Sequence, residues 1–347
     1  MVSVSNNRQT GHADPLVLHE FILTRVTSPN ESAAAETIVS IESVRDAATR
    51  IRSYVHRTPL LTSRALSERA GVEIRLKCEN LQRAGSFKAR GAMNALLQLT
   101  PEERKRGVVA FSSGNHGQGV ALAAKTLGIK ATIVMPENSV QAKVDAVKTY
   151  GAEVVQKGVT MSTRDAIARD IASKAGASII PPFDDDRIIA GQGTVAIEII
   201  EEWPDVTTII TPLGGGGLLA GVATAAAERN IDVFGVEPAA GNDGEQSFRA
   251  GRIVRIDPPN TIADGARTLQ LGQRTFPIIR ERVKNVVSVD DDALLDALKF
   301  AISRTKMVIE ATSALPLAAL FAKKIKPRGP VAVVVSGGNL DFSLLCK

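Results

Sequence analysis

The sequence is poor in aromatic residues and has no long apolar run. Phenylalanine, tryptophan and tyrosine make up 4% of its 347 residues. A nucleic-acid-binding surface clusters basic and aromatic residues, whereas the basic residues here are scattered among 37 acidic ones. No apolar run approaches the roughly 20 residues that cross a bilayer. We therefore expect neither a nucleic-acid partner nor a membrane.

Cysteine is scarce as well. The two cysteines, Cys78 and Cys346, provide neither a metal-ligand spacing nor a disulfide framework. This usage fits a reducing compartment, so we predict a cytoplasmic protein. Residues 1–38 are polar and aperiodic and lack the apolar segment of a secretory signal. We predict that they form a disordered arm.

The rest of the sequence alternates between helix-like and strand-like segments. This pattern is typical of a parallel sheet that is covered by helices on both faces. The chain is long enough for two lobes. We predict an α/β fold with two open parallel-sheet lobes: a large domain formed by residues 39–98 and 186–347, and a small mobile domain formed by residues 99–185.

One lysine lies in an unusual setting. Lys88 follows Gly85, Ser86 and Phe87 and precedes Gly91. A lysine that is held in a tight apolar turn has a lowered pKa and acts as a nucleophile or forms a Schiff base. Because many lysines near glycines are ordinary loop residues, this segment is weak evidence on its own.

Two polar segments follow predicted strands. Residues 112–117, Ser-Ser-Gly-Asn-His-Gly, come where a strand ends and a helix begins, a place where helix amides favour an anion such as a carboxylate. An ordinary helix N-cap is the alternative. Ser336 follows the strand-like segment 331–335, and its hydroxyl could bond a heterocyclic nitrogen without protonating it. A simple tight turn is the alternative there.

Residues 214–217 are four consecutive glycines between a strand and a helix. Such a loop points its N–H groups at a phosphate. A dinucleotide site is a competing interpretation, because Glu237 lies close to the offset at which such a site carries an acidic residue. Taken together, the lysine, the carboxylate loop, the phosphate loop and the hydroxyl supply the contacts that pyridoxal phosphate needs.

The sequence resembles the serine/threonine dehydratase family of fold type II pyridoxal-phosphate enzymes, which share the fold of the tryptophan synthase β-chain and include serine racemases. The resemblance extends over residues 41–345. It is carried by residues 79–88, Glu-Asn-Leu-Gln-Arg-Ala-Gly-Ser-Phe-Lys, and by residues 115–118, Asn-His-Gly-Gln. It implies that Lys88 forms the Schiff base with the cofactor and then moves the Cα proton.

The motifs and the resemblance together predict the other site residues. The cofactor contacts are Phe87, Lys88, Asn115, Gly214, Gly215, Gly216, Gly217, Leu218, Glu310 and Ser336. The substrate contacts are Ser112, Ser113, Asn115, His116, Arg164 and Thr268. Ser113 aligns with the second-face acid/base of racemases, although carboxylate binding is its alternative. A solvated helix arginine is the alternative for Arg164.

A divalent-cation site is implied at Glu237, the Gly241 carbonyl and Asp243. Two carboxylates and a carbonyl suit Mg²⁺ or Ca²⁺. The alternative is a capped acidic loop.

These residues predict an ammonia-lyase that converts L-threonine or L-serine into a 2-oxoacid and ammonia. The alternatives are a 3-hydroxyaspartate dehydratase, for which Arg267 is a candidate ligand of the extra carboxylate, and a serine racemase. A remote alternative is a non-catalytic module that binds a phosphorylated ligand. We expect a small amino acid as substrate and a homodimer or higher homo-oligomer.

Overall fold

The computed structural model describes residues 39–112 and 114–346, within which ten strands and thirteen α-helices are found. The predicted arm and Ser113 lie outside the described residues. The strands are β1 Leu60–Thr62, β2 Ile74–Cys78, β3 Val108–Phe111, β4 Ala131–Val134, β5 Glu153–Val155, β6 Ser178–Ile179, β7 Thr208–Pro212, β8 Asp232–Pro238, β9 Asn285–Val289 and β10 Val331–Val335. The helices are α1 Ile41–Ile51, α2 Arg64–Ala70, α3 Lys88–Leu97, α4 Pro101–Arg106, α5 Asn115–Leu127, α6 Gln141–Thr149, α7 Arg164–Ala175, α8 Asp186–Glu202, α9 Gly217–Ala226, α10 Asp243–Ala250, α11 Thr275–Arg282, α12 Asp291–Thr305 and α13 Ala311–Phe321.

The strands form two sheets. The larger has the order β1-β2-β10-β7-β8-β9 and the smaller the order β5-β4-β3-β6. All pairings are parallel except that of β1 with β2 at one edge. This confirms the predicted α/β fold with parallel sheets. The predicted boundaries between the two domains stay a prediction.

Strand β10 shows why the larger sheet is covered on both faces. Its five residues are buried, four of them valines. Ala332 and Val334 pack into one apolar cluster with α8 and α9, whereas Val331, Val333 and Val335 pack into another with α12 and α13. Alternate side chains of a strand point to opposite faces, so a strand between two helical layers must be apolar at every position.

The smaller sheet is built in the same way. In β3, Val108 and Ala110 join an apolar cluster with α3 and α5, while Val109 and Phe111 join a second cluster with α7. Parallel strands leave their carboxyl ends at one edge of a sheet, where ligands bind in open α/β folds. The three polar segments after β3, β7 and β10 begin at such ends.

None of the helices in residues 39–112 and 114–346 is both long enough and apolar enough to traverse a lipid bilayer.

Candidate active site

One pocket brings together most of the residues that the sequence analysis singled out. It receives side chains or backbone from the ends of strands in both sheets. Its lining includes every predicted cofactor contact, namely Phe87, Lys88, Asn115, Gly214, Gly215, Gly216, Gly217, Leu218, Glu310 and Ser336. It also includes Ser112, His116, Arg164, Arg267 and Thr268 from the predicted substrate side.

Lys88 is the first residue of α3 and not part of a loop. Its Nζ donates to the carbonyl of Pro182 at 2.6 Å and lies 5.1 Å from the centroid of the Phe87 ring. Burial lowers the pKa of Lys88 to about 8; the charge of Glu310 opposes this shift and that of Arg164 adds to it. An amine with this pKa is partly neutral near pH 7, which a Schiff-base nucleophile requires.

Asn115 is held at both ends of its amide. Its Nδ2 donates to the two carboxylate oxygens of Glu310, each at 2.9 Å, and its Oδ1 accepts from Asn339 Nδ2 at 2.8 Å. Burial, with the charge of Asp264 added, raises the pKa of Glu310 to about 7. Since Oδ1 is occupied by Asn339, the orientation of the Asn115 amide is fixed.

Ser336 lies at the carboxyl end of β10 and is buried. Its Oγ is 3.1 Å from Oγ of Ser313. The Ser313 hydroxyl donates to the carbonyl of Gly337 at 2.8 Å, so Ser336 is the donor between the two serines. Rotation of this hydroxyl would let Ser336 donate instead to an acceptor in the pocket. A neutral hydroxyl bonds a ring nitrogen and leaves it unprotonated.

The four glycines connect β7 to α9 and pass close to neighbouring side chains. A Cβ atom at Gly215 would lie 2.2 Å from ring carbons of Phe183. Gly216 has a φ of +97°, a backbone angle that residues other than glycine rarely adopt. Thr275 Oγ1 donates to the carbonyl of Gly215 at 2.8 Å. Gly215 and Gly216 therefore need to be glycine, and the loop ends at a helix N-terminus, where an anion is favoured.

His116 does not have the geometry of a general base. It is buried, and its Nε2 lies 2.9 Å from the carbonyl of Ile180, so Nε2 carries the proton. Burial, with the charge of Lys88 added, lowers the pKa of His116 to about 3. The ring is therefore neutral. Its Nδ1 has no hydrogen-bond partner in the described part of the chain and can accept one from a ligand.

The remaining predicted substrate residues have different surroundings. Ser112 accepts from the amide of Gly114 at 3.0 Å. Thr268 Oγ1 is buried and has no partner among the described residues. Arg164 is partly buried in the pocket lining and contacts Met161 Sδ at 3.4 Å, so it does not lie on a solvated helix face. Arg267 is exposed and donates through Nε to the carbonyl of Thr261 at 2.9 Å.

An ion pair that the sequence analysis missed lies in the pocket lining. Lys143 of α6 donates to Asp264, which precedes Gly265 in a short turn between α10 and α11. Neither residue belongs to a motif, and they are 121 positions apart. Asp264 raises the pKa of Glu310 and Lys143 lowers it, so the pair tunes the carboxylate that holds Asn115.

The described residues fit pyridoxal phosphate. The glycine loop forms a cradle that side chains would fill, Lys88 supplies an amine with a lowered pKa, and Ser336 supplies a buried neutral donor. Phe87 packs beside the amine. These are the donor types that the phosphate, the carbonyl and the ring nitrogen of this cofactor require.

The predicted cation ligands lie outside the pocket. Glu237 and Asp243 are both fully buried. Glu237 accepts from the amides of Gly244 and Glu245 at 3.1 and 2.8 Å, while neither side-chain oxygen of Asp243 has a partner in the described part of the chain. Burial raises the pKa of Asp243 to about 7, and burial together with Asp243 raises the pKa of Glu237.

This pair is smaller than a full carboxylate cage. Within residues 39–112 and 114–346, no group of three or more histidine, cysteine, aspartate or glutamate residues has the arrangement of a metal site. A cation here would need the Gly241 carbonyl and water to complete its shell. The orphaned oxygens of Asp243 fit such a ligand.

The chain is similar to known enzymes over most of its length. It is 49% identical to the L-threo-3-hydroxyaspartate ammonia-lyase of Saccharomyces cerevisiae, with 86% of this chain and 93% of that protein aligned. It is 48% identical to the serine racemase of Schizosaccharomyces pombe, with 87% and 94% aligned. The crystal structure of the T.th. threonine deaminase superposes with a TM-score of 0.83 at 48% identity, covering 87% of this chain and 99% of that one.

A match to a protein-family model agrees with these similarities. The model described as pyridoxal-phosphate dependent enzyme matches residues 51–337, which include all four motifs of the pocket. The chain therefore belongs to the family of pyridoxal-phosphate dependent enzymes, in the fold type II class.

Proposed function

We propose that this protein is an ammonia-lyase that removes water from a β-hydroxy amino acid, L-threonine or L-serine, and releases a 2-oxoacid and ammonia. The observation that carries the proposal is the position of Lys88. Its amine has a pKa of about 8 and lies in one pocket with a phosphate cradle and a neutral hydroxyl donor. This set binds the cofactor, activates the α-carbon of an amino acid and moves a proton.

Bound pyridoxal phosphate supplies the carbonyl that joins the amino group and the electron sink that acidifies Cα. The protein supplies the rest. The amides of residues 214–217 would hold the phosphate, Asn115 would orient the ring edge, and Lys88 Nζ would take the Cα proton of the substrate. The hydroxyls of Ser112 and Ser113 would donate hydrogen bonds to the substrate. The neutral ring of His116 would accept one from it.

Ser336 determines the fate of the substrate after the proton transfer. Because a hydroxyl does not protonate the ring nitrogen, the cofactor remains a moderate electron sink. This property would favour prompt elimination, in which the β-hydroxyl and the proton that Lys88 takes from Cα leave together as water. The enamine that this elimination produces tautomerises after release to an imine, and the imine takes up water to give the 2-oxoacid and ammonia.

A 3-hydroxyaspartate substrate is the second candidate. The observation that favours it is the place of Arg164, which is partly buried in the pocket lining, where a second substrate carboxylate needs a cation. We expect Arg164→Leu to raise KM for 3-hydroxyaspartate by at least about 10-fold, the worth of one charged hydrogen bond, and to change KM for L-serine much less.

Serine racemisation is the third candidate and depends on Ser113. A racemase needs an acid on the face of the substrate opposite Lys88. Ser113→Ala therefore separates the two activities: loss of D-serine formation with retained 2-oxoacid release identifies Ser113 as that acid. If Ser113→Ala keeps both activities, Ser113 is not that acid, and carboxylate binding stays as its alternative role.

We also propose that Glu237, Asp243 and the Gly241 carbonyl bind Mg²⁺ or Ca²⁺. The two buried carboxylates and the unpartnered oxygens of Asp243 support this. Oxygen ligands of this kind are preferred by hard divalent cations.

The predicted compartment and assembly belong to the same proposal. We infer a cytoplasmic homodimer or higher homo-oligomer. The buried free thiol of Cys78 supports a reducing compartment. Light scattering of the purified protein tests the assembly, and a monomer at micromolar concentration would contradict it.

The proposed function is tested by measuring 2-oxoacid release from L-serine, L-threonine and the 3-hydroxyaspartate stereoisomers with purified, cofactor-loaded protein. Lys88→Ala should lose both turnover and the visible absorbance of the amine-bound cofactor, whereas Lys125→Ala, an exposed lysine at the end of α5, should retain both. A non-catalytic phosphate-binding module would show no turnover and no dependence on Lys88.

A further inference from the structure

A group of buried charges lies behind the lysine helix. Arg90, Lys77 and Glu79 are fully buried, and the Glu198 side chain is 13% exposed. We call these four residues the buried ion cluster. It contains two cations and two anions, so its formal charge is zero. None of the four lines the active-site pocket.

Arg90 is the centre of the cluster. Its guanidinium makes two double hydrogen bonds: Nε and Nη2 donate to the Glu79 carboxylate, both at 2.8 Å, and Nη1 and Nη2 donate to the Glu198 carboxylate at 2.7 and 2.9 Å. Lys77 Nζ donates to Glu198 and to the carbonyl of Thr58, both at 2.6 Å. Two planar forks of this kind fix the position of a guanidinium in direction as well as distance.

The charges in the cluster are maintained by their partners. Burial raises the pKa of Glu198, but the hydrogen bonds and charges of Arg90 and Lys77 outweigh it and hold the pKa below the ordinary value. Burial lowers the pKa of Arg90, and the charges and bonds of Glu79 and Glu198 raise it above the ordinary value. Both groups are therefore ionised across the physiological range.

The cluster joins separate parts of the fold to the first turn of α3. Lys77 lies in β2, Glu79 in the turn after it, and Glu198 in α8. Arg90 lies in α3, two residues after Lys88, and its amide donates to the carbonyl of Phe87 at 3.0 Å. Charged hydrogen bonds from Arg90 thus hold the turn that carries Lys88 against the end of β2 and against α8.

The same turn is fastened on two more sides. The amide of Phe87 donates to the carbonyl of Ser336 at 3.1 Å, which ties the turn to the end of β10. A Cβ at Gly191 of α8 would lie 2.6 Å from Cα of Gly91, so the two helices touch through their backbones. Arg90 lies between these two contacts in sequence and supplies the only guanidinium on the turn 88–91.

A buried ion cluster is a poor means of gaining stability alone. Apolar side chains of similar volume are often as stabilising, because charges lose their hydration on burial. Buried charges are used where one defined arrangement is needed. We propose that Arg90 is a positioning residue: its two carboxylate partners fix the first turn of α3 and hence the line along which Lys88 Nζ enters the pocket. This proposal rests on the proposed function of Lys88.

The experiment compares Arg90→Lys with Lys77→Met in the cofactor-loaded enzyme. Arg90→Lys keeps the charge but loses the forks, whereas Lys77→Met disturbs the same cluster from β2 and leaves both forks of Arg90. We measure kcat and KM for 2-oxoacid release, the melting temperature, and hydrogen exchange of the amides of residues 89–92. A reacting group that is misplaced by about 1 Å loses roughly 100-fold in rate.

We expect Arg90→Lys to lower kcat about 100-fold, to leave KM within about threefold, and to speed exchange of the amides 89–92. Lys77→Met should lower the melting temperature with little change in kcat. Equal losses of kcat in both variants, or an unchanged kcat in Arg90→Lys, would overturn the proposal. If Arg90→Lys does not fold, we measure Glu198→Gln instead, because it weakens the bonds of Arg90 to residue 198 and keeps those to Glu79. A kcat of Glu198→Gln equal to that of Lys77→Met would overturn the proposal.

Failure of the proposed ammonia-lyase function can be distinguished from failure of the positioning role of Arg90. If the wild type releases no 2-oxoacid, the rate at which cofactor-free protein joins pyridoxal phosphate to Lys88 takes the place of kcat. That rate should fall in Arg90→Lys and not in Lys77→Met, and equal rates in the two variants would overturn the positioning proposal.

Discussion

At the scale of single residues, the chemistry depends on two ionisable groups that face one pocket. Lys88 has a pKa lowered to about 8 and Glu310 a pKa raised to about 7, both chiefly by burial. An ordinary lysine has a pKa of about 10.4. Lys88 is therefore partly uncharged where other lysines are fully protonated, and this difference supports its proposed role as the nucleophile.

The pH dependence of cofactor uptake follows from this pKa. Only the neutral amine attacks the cofactor carbonyl, so the rate of uptake by cofactor-free protein should rise with pH and level off above about pH 8. At pH 7 Lys88 should react roughly 200-fold faster than a lysine of ordinary pKa. Stopped-flow absorbance of the cofactor-free protein measures this. A rate that still climbs at pH 10 would contradict the lowered pKa.

The predicted cation ligands make a second residue-scale prediction. Two buried carboxylates repel each other unless a cation lies between them, so a chelator should lower the melting temperature and Mg²⁺ or Ca²⁺ should restore it. In Asp243→Asn the repulsion is gone, and the melting temperature should no longer respond to either. Asp257 is an exposed aspartate that lies, like Asp243, between β8 and β9. Asp257→Asn is therefore the matched control, and its melting temperature should respond like that of the wild type. A chelator effect that survives in Asp243→Asn would place the cation elsewhere.

At the scale of elements, the pocket is formed where strands give way to helices. The loop between β7 and α9 shows how closely the elements approach, because Gly215 lies against the ring of Phe183. Phe183 belongs to the segment between β6 and α8, which shows no motif in the sequence. A strand end, a helix start and an unrelated aromatic ring together define the phosphate cradle.

Gly215→Ala tests the cradle. The added methyl group would lie 2.2 Å from the Phe183 ring, and one of them must move. Overpacking of this kind costs about 1–3 kcal/mol, so we expect cofactor affinity to fall roughly 10- to 100-fold, measured by absorbance titration. Gly128→Asn is the control, since Gly128 follows α5, has open space around it and a φ of +67° that asparagine tolerates. Unchanged affinity in Gly215→Ala would show that the loop does not hold the phosphate.

The strand-like segment 331–335 was predicted correctly, whereas two helices that contain glycines were not predicted. Strand β10 occupies residues 331–335, which are continuously apolar. Helices α3 and α8 were missed. Both are interrupted by glycines and polar residues that look like loop signals in the sequence, yet these glycines allow the close contact between the two helices. Helix packing overrode local propensity.

At the scale of the whole molecule, the predicted cofactor contacts come from both sheets. Asn115 follows β3 of the smaller sheet, while Ser336 and the glycine loop follow β10 and β7 of the larger one. The bond between Asn115 and Glu310 joins the two groups. A bound cofactor that contacts all of them should stabilise the folded chain as a unit.

Removal of the cofactor should therefore lower the melting temperature. A ligand at about 100 times its Kd adds roughly 2.7 kcal/mol to stability, and this shifts the melting temperature of a chain of this size by several degrees. Differential scanning calorimetry with and without pyridoxal phosphate measures the shift. It should be smaller in Lys88→Ala, which keeps the phosphate cradle and lacks the covalent link. Identical transitions with and without cofactor would argue against a site that spans both sheets.

The order of residues along the chain was enough to predict the fold class and the pyridoxal-phosphate cofactor, because four motifs that are each weak alone occur together and resemble those of one enzyme family. Tertiary packing, in contrast, decided which residues meet across long sequence distances. It brought Asn115 to Asn339, Lys143 to Asp264 and Arg90 to Glu198. Such pairs leave no periodic signal, since each is made by the packing of elements far apart in the chain.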